Sequence, residues 1–233
     1  MATFLELCRR VHRYARIGED ATGTAPETVA GQEGVLAEIV GWVQDAYEDI
    51  QADQEDWRFR EAAGDVPVAS GVRTVDASVT LDDYDVLRPY TGDFCRRHIL
   101  CAYSGQGAAD RQPVWFVEWE DWRGGRYERG EAAAATGRPQ YFTIQPDGQL
   151  RLYPAPDSDV VLTLAYHRAL QTLEADGDVP ILPERHHAVI VWRALMYYVD
   201  TRDKTQEPYQ KWERRRKQAM RRLYRDQLPE PSF

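Results

Sequence analysis

The chain has 233 residues, a net charge of −9, 43% hydrophobic residues and 7 tryptophans. That length suits one large domain, or one domain carrying an inserted part, and that composition excludes a disordered chain. No run of 18 apolar residues is present, which excludes a membrane-spanning helix, and the three cysteines Cys8, Cys95 and Cys101 are too few for a disulfide framework.

The opening MATFLELCRRVHRYARIG places Phe4, Leu5, Cys8, Val11 and Ala15 at helical spacing and predicts a helix over 2–17. It lacks the long apolar core of a signal peptide, so a soluble protein used without secretion is expected. A Gly-, Thr- and Pro-rich loop follows, GEDATGTAPETVAGQEG. A second helix is predicted over 31–54. Leu36, Ile39, Val43, Ala46 and Ile50 form its apolar stripe, and Glu38, Asp45, Glu48 and Asp49 form an acidic back.

After Trp57 the period shortens. VPVASGVRTVDASVTL alternates in pieces, and HILCAY and PVWFVEW are short apolar-aromatic runs that read as strands. EAAAATGRP reads as a loop or helical turn. YFTIQPDGQLRLYP is a hairpin. In its turn Pro146 presets φ, Asp147 caps its own backbone and Gly148 tolerates positive φ. A further strand is expected over 160–170. The helical period returns after Pro183: Ala188, Val191, Trp192, Leu195 and Val199 make one stripe, and Ile190, Ala194 and Tyr198 widen it. That helix, 184–200, must be buried on more than one side. Pro208 opens a last helix, 207–226, at the favoured first-turn position.

The expected fold class is α+β. About four helices, from 1–56 and 181–226, form a helical bundle. An antiparallel β module is inserted at 57–180, and 227–233 is an extended arm.

On a helical wheel the last helix divides. Tyr209, Trp212, Ala219, Met220, Leu223 and Tyr224 share one side, with Arg216 among them. Lys211, Arg214, Arg215, Lys217, Arg221, Arg222 and Arg225 share the other. An arginine in an apolar stripe must pair or carry its head to the edge. The basic face can grip nucleic acid, stand in solvent, or meet protein. Residues 202–225 carry a net +7, which leaves −16 for the rest of a chain of total −9. Nucleic-acid domains are usually basic overall and bring a base-reading motif. Neither holds here, so protein contact is favoured. The acidic back of the second helix (Glu38, Asp45, Glu48, Asp49) complements Arg214, Arg215, Arg221 and Arg222. Contact between copies would then be heterologous and can close into a ring.

The arm Gln227, Leu228, Pro229, Glu230, Pro231, Ser232 and Phe233 holds two prolines and cannot continue the helix. It reads as a docking peptide with Leu228 and Phe233 as anchors. No catalytic residue, metal site or cofactor is expected. Cys95, His98 and Cys101 in FCRRHILC lack a second ligand pair. His186 and His187 point about 100° apart on a helix and do not converge. Glu118 and Glu120, with Asp121 beside them, share a strand face among Trp115, Trp119 and Trp122 and form the one imaginable carboxylate pair. A hydrolase built there, or a DNA-binding module on the basic helix, are the alternatives from other classes.

The pieces TFLELCRRVHRYA, GQEGVLAEIVGWVQDAYEDIQADQEDWRF, GRPQYFTIQPDGQLRLYPAP, ILPERHHAVIVWRALMYY and LYRDQLPE, in this order, resemble the head-to-tail adaptor (connector) proteins of tailed bacteriophages. The stretch 64–112 carries the least of the likeness. The resemblance implies a structural virion protein, not an enzyme. Such a protein forms a homo-oligomeric ring, dodecameric, beneath the portal protein. Its C-terminal segment contacts the portal, and its other side receives tail proteins (nozzle, tube or fibre-bearing). Genomic DNA passes through the lumen without specific binding, and no membrane is involved. The location implied is the virion neck, with the host cytoplasm during assembly. A tail-completion or tail-capping protein is the near neighbour of this reading.

Overall fold

The computed structural model describes residues 1–15, 24–91, 96–125, 127–129, 134–202 and 206–228, with backbone alone at 206–208. It divides into two compact units, a helical one of 1–60 with 170–233 and a β unit of 61–169.

In the helical unit, α1 (Phe4–Ala15) and α2 (Gly34–Ala52) precede α4 (Ala188–Thr201) and α5 (Gln206–Gln227). A capping box starts α1: Thr3 N–H donates to the Glu6 carboxylate and Glu6 N–H to the Thr3 hydroxyl, both at 3.3 Å. Helix α4 is the hub. Val189, Ile190 and Val191 are consecutive and all buried, so it needs cover on several sides. The other three long helices supply that cover. The segment 170–182 lies with this unit. Gln171 and Leu173 bond to α2, and the Asp178 and Asp176 carbonyls accept from Phe4 and Leu5 at 2.8 and 3.3 Å.

The β unit holds β1 (Glu61–Val68), β2 (Thr74–Val75), β3 (Tyr84–Leu87), β4 (Tyr90–Thr91), β5 (Arg97–Tyr103), β6 (Gln112–Phe116), the single turn α3 (Trp119–Trp122), β7 (Tyr141–Ile144), β8 (Leu150–Tyr153) and β9 (Val160–Arg168). The nine described strands form one sheet ordered β1-β9-β5-β6-β7-β8-β2, with β3 also on β9 and β4 on β5. Strand β9 is the spine. One edge pairs with β1 along its length, and the other is shared by β5 at 160–163 and β3 at 166–168. Its alternate residues Val160, Leu162 and Leu164 meet Ile99, Val114, Phe142 and Leu152 in a separate apolar core. The expected hairpin is β7–β8. Gly148 has φ +83°, and Asp147 Oδ1 accepts from Gln149 N–H at 3.1 Å.

The α+β class therefore holds, but the sheet's standing as a separate unit and its strand pairing correct the expectation. The protein is not a helical bundle bearing a β module: the sheet unit spans nearly half the chain and has its own core. Nor is the sheet purely antiparallel. β6 and β7 run parallel, with Trp115 opposite Tyr141 and Phe116 opposite Phe142. A parallel neighbour needs a crossover, which 117–140 provides. Strands of four or five residues carry too short a pattern to reveal their neighbours.

His187 leads into α4 and is 2% exposed, with Nε2 donating to the Leu182 carbonyl at 2.7 Å. Burial lowers its pKa from the ordinary 6.5, against the Leu182 bond and Glu184, which raise it, while Arg10 also lowers it. The folded chain keeps this ring neutral where the unfolded chain would protonate it. The contribution is thus complete above about pH 6.5 and is lost as pH falls below that value. Melting curves from pH 7.5 to 5 should show a steeper loss in the parent than in His187→Gln; equal slopes would remove His187 as the cause.

Candidate functional site

Helix α5 divides as its wheel predicts. Trp212, Met220, Leu223 and Gln227 are buried, while Lys211, Arg214, Arg215, Lys217, Arg221, Arg222 and Arg225 are exposed. Arg216, within the stripe, is half-buried. The apolar side rests on Tyr198, whose ring lies 6.1 Å from Trp212, and on Trp57, which stacks with Tyr224 at 5.6 Å.

The C-terminal end of α5 is clamped by Asp226. Its carboxylate accepts from Arg185 Nε at 3.1 Å, from His186 Nε2 at 2.8 Å and from Gln227 Nε2 at 2.8 Å. Arg185 foremost, then Gln227 and His186, hold the carboxyl far below the usual range. Of the proposed docking arm, Gln227 is buried and Leu228 packs partly against the helical core, its N–H on the Tyr224 carbonyl at 2.9 Å. Pro229, Glu230, Pro231, Ser232 and Phe233 lie outside the described residues.

A cleft of about 260 Å³ opens beside α5. Arg185, His186 and Trp192 line one wall, and Arg215, Gln218 and Arg222 the other. The Arg215 guanidinium lies over the Trp192 ring, 4.8 Å from its centre, and Tyr14 of α1 approaches the same ring at 5.0 Å. Among the described residues, no carboxylate pairs with Arg215 or Arg222.

The acidic back of α2 splits in two. Glu38 accepts from Arg202 Nε and Nη2, one on each carboxylate oxygen at 2.7 Å, which lowers its pKa. Asp49 accepts from Arg193 at 2.6 and 3.2 Å and from the Tyr197 hydroxyl. Burial pushes the Asp49 carboxyl up, but those hydrogen bonds outweigh it and leave it lowered. Both residues therefore serve α2–α4 packing. Asp45 and Glu48 are exposed, with no ion pair to a described residue. The sequence reading missed Arg185, Arg193, Arg202 and Asp226 as partners. Their pairings span 41 to 164 positions, and no local pattern signals them.

A family model described as SU10 adaptor protein matches residues 2–231. The chain belongs to the SU10 adaptor protein family. It is thus a phage adaptor of the head-to-tail kind that its sequence resembles, and the family implies a structural role rather than an enzymatic one. A search of the curated proteins gives no match.

The remaining sequence candidates fit differently in this adaptor. Glu118 and Glu120 do not share a strand face. Strand β6 ends at Phe116, and the chain turns helical at 119–122, where Trp122 N–H closes on the Glu118 carbonyl at 3.0 Å. Glu118 pairs instead with Arg97, whose guanidinium lies over Phe116 at 4.0 Å. His98 sits between Tyr90 and Trp115, with ring centres 5.8 and 5.4 Å away. Cys101 is buried in the sheet core, which pushes its thiol up to about 11, and Cys95 lies outside the described residues. Among the described residues no group of three or more His, Cys, Asp or Glu could hold a metal, and no helix is long and apolar enough to cross a membrane.

Proposed function

We propose that this adaptor closes into a ring, dodecameric as the resemblance implies, between the portal and the tail of its phage. The observation that supports ring closure is the unequal neutralisation of charge in the helical unit. Among the described residues, the exposed Arg215 and Arg222 of α5 lack carboxylate partners, and Asp45 and Glu48 of α2 lack cationic ones. Complementary unpaired faces on one chain are what a heterologous contact between copies uses. Arg214 and Arg221 flank the same basic face. With −16 outside 202–225, most of the protein repels duplex DNA, which suits a lumen that lets the genome slide.

Gln227 ends α5 and Leu228 packs on the helical core, so the arm expected over 227–233 is shortened to 229–233. The portal is the partner proposed for it, and tail proteins for the opposite side. The Asp226 clamp gives that arm a fixed point of departure, which lowers the ordering entropy of docking. Because Leu228 packs on the core, the informative truncation ends after it. The protein ending at Leu228 should melt as the full chain does and bind the portal of the same phage about a hundredfold more weakly or worse, since a few anchors carry most of an interface. Undiminished portal binding would end the docking-arm reading.

A further inference from the structure

We propose that the Arg215–Arg222 cleft receives the Asp45–Glu48 ridge of α2 from a neighbouring copy. The inference rests on the ring assembly proposed above and names its contact. Three observations carry it.

The first is that cleft and ridge cannot meet within one chain. Trp192 borders the cleft, while Arg193, the next residue of α4, reaches Asp49 of α2 at 2.6 Å. Successive helical residues diverge by about 100°, so the cleft and α2 lie on different sides of α4. The second is charge. Arg185 is held by Asp226, whereas Arg215 and Arg222 are left facing an opening walled by Trp192. Partial removal from water strengthens what a carboxylate gains there, and guanidinium forks suit carboxylates. Asp45 and Glu48, three positions apart, project from one side of α2.

The third is Gly41. It sits one turn before Asp45 inside α2, where glycine weakens a helix relative to alanine. A Cβ placed on it would meet nothing within 4 Å among the described residues, and Ala37, a turn earlier, is exposed. The chain's own fold therefore gives no reason for a glycine there. A second helix approaching this small, acid-tipped ridge does. Each copy then offers one cleft and one ridge, the head-to-tail arrangement that closes into a ring when its rotation permits.

The full-length protein with its portal, followed by native mass spectrometry and electron microscopy, tests this. Arg215→Glu with Arg222→Glu should reduce ring yield by about tenfold or more, as should Asp45→Arg with Glu48→Arg, because like charges are brought together. Combining all four substitutions should restore rings. Gly41→Leu should block rings while the isolated chain melts no lower than the parent. Either charge pair assembling at the parental yield, or the fourfold variant failing to recover, overturns the contact. A parent that forms no ring with or without the portal overturns instead the ring reading beneath it.

Discussion

Trp57→Ala should lower the stability of the helical unit by about 4 kcal/mol, the middle of the range for deleting a buried aromatic. Trp57 is fully buried between Phe59 and Tyr224, with ring centres 5.2 and 5.6 Å away. Its indole N–H donates to the Ile50 carbonyl at 3.0 Å. That carbonyl belongs to the last turn of α2, where the helix supplies no donor. The substitution thus opens a cavity, orphans a carbonyl and removes the surface against which Tyr224 holds the end of α5. Trp57→Phe separates these effects. It keeps much of the ring packing and loses the hydrogen bond, for about 1–2 kcal/mol. Urea denaturation of both variants gives the comparison. Equal losses would show that the stack contributes little beyond the bond.

The same residues show where the sequence is legible. The two faces of α5 are visible because burial there repeats every 3.6 residues in one segment, and every cation placed on its outer face is exposed. The QPDGQ turn is visible because its conformation is enforced by Pro146, Asp147 and Gly148 themselves. The multi-sided burial of α4 is visible because Ile190, Ala194 and Tyr198 widen the stripe of Val191 and Leu195 beyond one face. Each of these signals is local.

The rest depends on distant partners. Glu38 and Asp45 look alike in the sequence, and only Arg202, far along the chain, makes one a packing residue and leaves the other unpaired. Glu118 and Glu120 share a strand face only if the alternation continues past Phe116, where β6 stops and a turn takes over. The β6–β7 pairing is parallel for the same reason that it was unreadable: crossover 117–140 sets it, not the strands. As for the site, α5 and its cations follow from the pattern, but the cleft does not, since Arg185 and Trp192 come from a segment that the fold brings alongside.

Gln51→Leu should cost about 3 kcal/mol, because it strips two main-chain groups of their partners in a dry site, each at about 1–3 kcal/mol. Gln51 is fully buried, and its amide treats the main chain of Gln171 as a neighbouring strand would. Nε2 donates to the Gln171 carbonyl at 3.0 Å, and Oε1 accepts from Gln171 N–H at 2.9 Å. Gln171 repeats the device, accepting from Tyr47 O–H at 2.7 Å and Ile181 N–H at 2.9 Å while donating to the Val179 carbonyl at 3.1 Å. These amides hold 171–181, a segment without helix or strand of its own, against α2. Leucine matches the volume but offers neither donor nor acceptor. Gln51→Glu sharpens the test through pH. A buried carboxyl has its pKa raised, and only the protonated form can donate to the Gln171 carbonyl. Its deficit against the parent should therefore be smallest below about pH 4.3, the unfolded value, and grow as pH rises above it. This trend opposes that of His187. Melting curves at pH 4 and pH 7 would show it, and a deficit independent of pH would mean that the glutamate escapes to solvent and that Gln51 does not hold the segment as described.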